Sequence, residues 1–445
     1  MSINKDQAEM LNLLGVKDKL ELFSDIPQSV RKPSFRLDRG ISEHEVLLEA
    51  RSNAALNRGP GMLNFLGNGI YDRIIPASVD SIVGRTEFLT SYTPYQAEMS
   101  QGVLQSLFEY QSMMCQLTGM DVTNSSMYDG FTALGEAVRM AYRINGKTEV
   151  LVPECIYDGK LQVIKSYLEG LPVRITKYAM DAGTGFLNLD DLKSRINGDT
   201  CAIICEMPNG LGIIDQNVPK VQEIKGEALL IAYVDPISLG ILRAPGEYNA
   251  DIAVAEGQQL GIHMSYGGPL LGILSFKRDY IRKSPGRLIG ETVDVNGKRA
   301  FVMTLQTREQ HIRREKAMSN ICTNQALMAI TATTYLGIVG PDGLRKIGTM
   351  TYKNAGDLGK RLRSVKLAAK DQFTGKSFSD VLIRLGSDQG DLQEKLLHKE
   401  VLGGTTLAGL CAAAGKKFPH SHFFSVTEKT TAAEIEKLAG ILEGI

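Results

Sequence analysis

Three segments place residues where they could do chemistry. The first is Asn124-Ser125-Ser126-Met127-Tyr128-Asp129-Gly130, which runs into a helical pattern over residues 134–143. Backbone N–H groups at a helix start, with hydroxyls beside them, attract an anion, so Ser126 and Gly130 are candidate phosphate contacts. The same residues also suit an ordinary helix cap. The second is Ala232-Tyr233-Val234-Asp235-Pro236, at the end of an apolar run. A carboxylate at the carboxyl end of a parallel strand lies where open α/β sheets bind ligands. There Asp235 would pair with a protonated ring nitrogen of a cofactor or cap the next turn. The third, Glu256-Gly257-Gln258-Gln259-Leu260-Gly261-Ile262-His263, follows another apolar run. Its glycines permit close approach of a ligand or a neighbouring chain. His263 reads as a base or, more simply, as a structural histidine.

Two further loops carry aromatic and charged groups. Phe65-Leu66-Gly67-Asn68-Gly69-Ile70-Tyr71-Asp72 forms one turn, and Tyr92-Thr93-Pro94-Tyr95-Gln96 a second. The Thr-Pro turn places two phenol hydroxyls on a loop that could line a site in this chain or in a partner, or simply pack. Downstream, His311 with Arg313 and Arg314 reads as a carboxylate or phosphate binder, a solvated charged segment, or an interface ion-pair network. The six cysteines are Cys115, Cys155, Cys201, Cys205, Cys322 and Cys411. Cys201 and Cys205 lie in an apolar run with no second pair and no nearby histidine, so the expectation is reduced core thiols and no metal site.

The elements that must position these residues are legible as apolar runs. Strands are expected at 150–153, 173–178, 201–206, 229–235, 252–256 and 271–276. Several lack alternation, as strands buried on both faces do. Helical patterns at 161–168, 189–197 and 218–225 alternate with them, which implies a mostly parallel sheet covered on both faces. Ahead of this lie helices at 5–14 and 43–57, the second opened by a Ser42–Glu45 capping box, with an extended, Pro-broken stretch at 26–35. Beyond it, a long helix at 319–336, a helix at 343–362, a strand at 378–385 and a helix at 434–443 are expected. The organisation predicted is an N-terminal helical arm (1–65), a large α/β domain (66–315), then a linking helix and small C-terminal α/β domain (316–445).

Composition narrows the partners. The chain has 445 residues, 50 basic and 50 acidic side chains and a formal net charge of zero, which leaves no electrostatic footprint for nucleic acid. No apolar run approaches the length of a membrane helix. The N-terminal stretch has neither the basic-then-apolar order of a signal peptide nor the Arg-rich character of a transit peptide, so a cytoplasmic location is expected.

Taken in order, the 124–130 turn, Asp235 and the turn after Glu256 resemble fold-type-I enzymes that use pyridoxal phosphate. In such enzymes a Ser/Gly turn holds phosphate, a strand-end Asp holds the pyridine nitrogen, and a lysine after the next strand forms the Schiff base. Here Gln258 and Gln259 stand where that lysine is expected, and an amide forms no imine. Lys277 comes too late in the pattern. The stretches GIYDRIIPASVDSIVGRTEFLTSYTPYQAEMSQG, MDVTNSSMYDG, PGRLIGETVD and LQTREQHIRREKAMSNICTNQAL resemble, over about the whole chain, the glycine decarboxylase P-protein of the glycine cleavage system. The resemblance is greatest to the alpha branch, or subunit 1, of its split two-subunit form.

That resemblance implies an α2β2 heterotetramer in which the beta subunit carries the lysine and holds pyridoxal phosphate. It implies decarboxylation of glycine and transfer of the aminomethyl group to the lipoyl arm of H-protein. Tyr92, Tyr95 and Gln96 are then expected to contribute to the partner's site, with the 67–71 turn as a weaker candidate. Ser126, Asp235 and Gln258 would mark a degenerate site of this chain's own. Two alternatives stand beside this reading: a stand-alone pyridoxal phosphate enzyme with a displaced lysine such as Lys277, and a non-catalytic regulatory or docking protein.

Overall fold

The computed structural model describes residues 3–31, 40–306, 310–321 and 324–445. Arg308, Cys322 and the His311 side chain lie outside them. The chain divides into two units, Met1–Pro60 and Gly61–Ile445. In the first, helices Ile3–Leu13 and Glu43–Ala55 stand where the pattern placed them. The capping box forms as expected: the Glu45 N–H donates to Ser42 Oγ, and the Glu45 carboxylate accepts from the Ser42 N–H at 2.7 Å. Of the stretch expected to be extended at 26–35, residues 32–35 lie outside the described ones, and Gln28–Val30 closes a short 3-10 turn, because Pro27 pre-sets the turn's entry.

The second unit is built on a seven-stranded sheet. Its spatial order is Val122–Thr123, Gly272–Phe276, Ile252–Glu256, Leu229–Val234, Thr200–Met207, Glu149–Pro153 and Arg174–Tyr178. The last five run parallel; Gly272–Phe276 runs antiparallel to both of its neighbours. The central strands are buried on both faces, as continuous Val/Ile/Leu/Ala runs require. Alternate side chains feed two separate cores. Leu151, Ile203 and Leu230 pack with helix Gln101–Thr118, whereas Val150, Ile204 and Ile231 pack with helices Gly130–Asn145 and Asp158–Leu168. The fold is α/β with a mainly parallel central sheet.

A second sheet, antiparallel, joins Asp380–Arg384, Ser421–Ser425 and Thr405–Thr406 and is covered by helix Ala432–Glu443. The helix expected from residue 319 begins only at Ala326, because Ser319, Asn324 and Gln325 are spent on contacts to Glu136, Ser125 and Ser126. The two helices expected at 319–336 and 343–362 form one element, Ala326–Arg363, bent where Gly340 takes φ +59° ahead of Pro341. A residue before proline avoids the helical region, and glycine accepts the positive φ. A hairpin, Leu288–Val293 with Arg299–Thr304, stands in a stretch the sequence reading left without an element. Among the described residues no helix is long and apolar enough to cross a membrane.

Candidate active site

A cleft opens at the carboxyl ends of the Leu229–Val234 and Ile252–Glu256 strands, where the topology of an open parallel sheet places ligand sites. It is lined by Asn68, Tyr71, Lys160, Asp235, Glu256, Gln259 and Asp380 among others. Its volume is about 60 Å³. Pockets for small molecules typically measure about 300–1,000 Å³, so this one is filled by its own walls.

The groups in the cleft are engaged with one another. The first N–H groups of helix Gly130–Asn145 all go to carboxylates. Gly130 donates to Glu256 at 2.8 Å, and Phe131 and Thr132 donate to Asp129 at 2.8 and 3.0 Å. Glu256 also accepts from the Gln258 and Leu271 N–H groups at 2.9 and 3.2 Å. Burial pushes its carboxyl up to about 7 against the pull of these donors. Asp235 caps its own turn, accepting from Ile237 and Ser238, while its second oxygen takes the Gln259 amide at 2.8 Å. Gln259 in turn accepts from Arg73 Nε at 2.7 Å. Lys160 pairs with Glu206 at 2.5 Å and lies 3.9 Å from the Tyr233 ring centre. Asp380 accepts from Tyr71 Oη at 2.7 Å and from Ser425 Oγ at 2.6 Å, and burial raises its carboxyl above the usual range.

These residues do not fit pyridoxal phosphate. The helix N-terminus that would hold a phosphate is taken by Glu256 and Asp129. The lysine that lines the cleft, Lys160, is held in an ion pair and is on a helix rather than at the strand end.

The Tyr92 loop belongs to a different feature. Tyr92 is 71% exposed and lines a groove of about 510 Å³ with Arg85, Phe88, Thr93, Pro94 and Met99. Tyr95 is half exposed. Its hydroxyl accepts from Arg287 Nη2 at 3.0 Å, and the guanidinium carbon lies over its ring, 5.4 Å from the centre. Gln96 is exposed and precedes a short 3-10 turn, Ala97–Met99.

The sequence profile of the glycine cleavage system P-protein family matches residues 2–442. The chain belongs to this family. A Thermoplasma acidophilum protein named probable glycine dehydrogenase (decarboxylating) subunit 1 is 56% identical over 436 residues, covering 98% of this chain and 99% of that one. An Aeropyrum pernix protein of the same name is 42% identical, covering 98% of this chain and 96% of its own. The crystal structure of glycine decarboxylase (P-protein) of the glycine cleavage system, in inhibitor-bound form, superposes with a TM-score of 0.89 at 35% identity, covering all of this chain and 98% of that one. Lactobacillus brevis glutamate decarboxylase, at 13% identity and a TM-score of 0.67, shares the fold. The architecture is that of fold-type-I pyridoxal phosphate enzymes.

Within this P-protein chain the residues singled out from sequence are scattered. Of the three positions expected to mark a degenerate site, Asp235 lines the cleft. Gln258 lies behind it, tied to the Tyr71 backbone through both ends of its amide. Ser126 is fully buried and accepts from the Gln325 N–H at the start of the long helix. Asn68, Gly69 and Tyr71 of the 67–71 turn line this chain's own cleft. Lys277, the displaced-lysine alternative, pairs with Asp251 at 2.7 Å and is not among the cleft-lining residues. His263 meets Asp80 at the surface, and Arg313 and Arg314 are exposed. Sequence reading missed Lys160, Glu206, Arg73 and Asp380. Lys160 sits in an ordinary amphipathic helix, and Arg73 reaches partners up to 355 residues away, so no local pattern marks either.

Proposed function

We propose that the chain is the subunit-1 component of a glycine-decarboxylating enzyme of the glycine cleavage system. It works with a second, lysine-bearing subunit as an α2β2 heterotetramer. Pyridoxal phosphate belongs to that second subunit, where it supplies the electron sink for decarboxylation. The aminomethyl product passes to the lipoyl group of H-protein. This chain provides wall and polar groups to the shared site, with Tyr92, Tyr95 and Gln96 as contributors. Ser126, Asp235 and Gln258 are remnants with structural duties. The proposed location is the cytoplasm, whose reducing conditions suit the cysteines among the described residues, which are free and mostly buried.

The observation that carries the division of labour is the Gly130 N–H donating to Glu256 in place of a phosphate. A site so occupied leaves this chain's contribution to its exposed loops. The test compares the isolated chain with the chain co-expressed with its second subunit, by visible absorption and glycine–bicarbonate exchange. The expected result is no cofactor band and no exchange alone, and both in the complex. A band and exchange from the isolated chain would overturn the proposal. In the complex, Tyr95→Phe and Gln96→Ala are each expected to lower exchange by about ten- to a hundredfold without loss of assembly. Unchanged exchange would favour a regulatory or docking role instead.

A further inference from the structure

We infer that Arg287 is the positioning residue that holds the 92–96 loop in its working shape, and that the former anion turn at 124–126 has been rebuilt to carry it. The inference rests on the reading of that loop as a contributor to the shared site.

Arg287 is buried, at 4% exposure, yet reaches a half-exposed tyrosine. Its guanidinium holds Tyr95 at two points. Nη2 donates to the hydroxyl at 3.0 Å, and the guanidinium carbon lies over the ring, 5.4 Å from its centre. The first contact fixes where the oxygen lies and the second keeps the cation over the ring. A lysine could supply the charge but not a fork that donates to the hydroxyl while its central carbon lies over the ring.

The backbone under Arg287 is equally determined. Its carbonyl accepts from the Ser125 N–H at 2.8 Å, and Asn124 Nδ2 donates to the Pro285 carbonyl at 3.2 Å. Between them Gly286 takes φ +73°, and a Cβ there would come within 2.8 Å of Asn124 Nδ2. The hydroxyls of Ser125 and Ser126 accept from Asn324 Nδ2 and the Gln325 N–H at 3.0 and 3.1 Å. The turn whose composition suggests phosphate thus gives its Ser125 N–H and Asn124 amide to the Arg287 turn and its two serine hydroxyls to the start of the long helix. On the far side of the loop, the Gln101 amide pairs with both backbone groups of Phe301, at 2.8 and 2.9 Å, and anchors the loop's exit to the hairpin. The loop is therefore clamped where it ends and positioned at Tyr95.

The test uses the complex with its second subunit. Arg287→Met is expected to lose hydrogen-exchange protection at residues 92–99 and to lower kcat for glycine–bicarbonate exchange by about ten- to a hundredfold, with a smaller change in KM. Arg287→Lys should recover part of both. The double variant Arg287→Met/Tyr95→Phe should be no slower than the slower single variant, because the two act through one contact. Unchanged protection at 92–99, or losses that multiply in full, would overturn the inference. Loosening with unchanged turnover would uphold the hold on the loop and instead overturn the loop's place in the site. Should Arg287→Met fail to assemble, Tyr95→Phe alone carries the test from the exposed side. It removes one hydroxyl, and it must loosen the same amides if the contact matters.

Discussion

At the residue scale, charges that a cofactor would otherwise meet are neutralised within the chain, and this has consequences for pH and stability. Glu256 is protonated more readily folded than unfolded, since burial lifts its carboxyl to about 7 from the ordinary range near 4.5. The folded state then binds more protons between these values. Its stabilising contribution is complete below about pH 4.5 and is lost as pH rises through 7, up to about 3 kcal/mol in all. Urea unfolding at several pH values should show wild-type stability falling over this window, with a shallower fall in Glu256→Gln. Equal slopes would mean that Glu256 does not titrate there. The Lys160–Glu206 pair makes a second case. Lys160→Met leaves a buried carboxylate without its cation and should cost about 3–5 kcal/mol, whereas Lys160→Met/Glu206→Leu should recover most of it. Asp235 was legible in sequence because it ends an apolar run. The duty of Ser126 was not, because its partner Gln325 lies 199 residues away.

At the element scale, the strands of the central sheet were readable because each is buried on both faces and so is apolar throughout. The hairpin was not, because Leu288–Val293 is buried only at its first residues and exposed beyond them, so neither alternation nor a continuous run marks it. Its placement depends on a side chain. Gln111, buried on helix Gln101–Thr118, donates to the Ile289 carbonyl and accepts from the Ile289 N–H, both at 2.9 Å. It supplies, from a helix, the pair of bonds a neighbouring strand would have made. Gln111→Leu keeps the volume but strands both backbone groups. The expected cost is about 1–3 kcal/mol for each group left unsatisfied. The chain has no tryptophan, so unfolding is best followed by circular dichroism. A loss under about 0.5 kcal/mol, the usual effect of an incidental surface change, would mean that the hairpin is held by its apolar contacts alone.

At the scale of the second unit, the ends of the central sheet and the antiparallel sheet meet through one arginine. Arg73 is buried and touches four separate stretches of chain. Nε donates to Gln259, Nη1 to Thr351 and to Glu428 at 2.6 Å, and Nη2 to Ser379. Through Gln259 it reaches Asp235, so the strand end that marks the cleft is tied to residues preceding and following the antiparallel sheet. Glu428 has its other oxygen on the Ile74 N–H at 2.8 Å, and its side chain is 2% exposed. Removing the guanidinium would therefore leave a buried carboxylate with a single neutral donor. Arg73→Met should cost about 3–5 kcal/mol, near the lower end of a typical folding stability. Arg73→Lys should recover little, since one ammonium cannot reproduce a fork that serves four partners. Arg73→Met/Glu428→Gln should recover more, because the stranded charge goes with it. This ordering separates a charge effect from a packing effect. If Arg73→Lys matched wild type in urea unfolding while the double variant stayed low, the cation alone would matter, and the shape of the fork would not explain why this unit holds together.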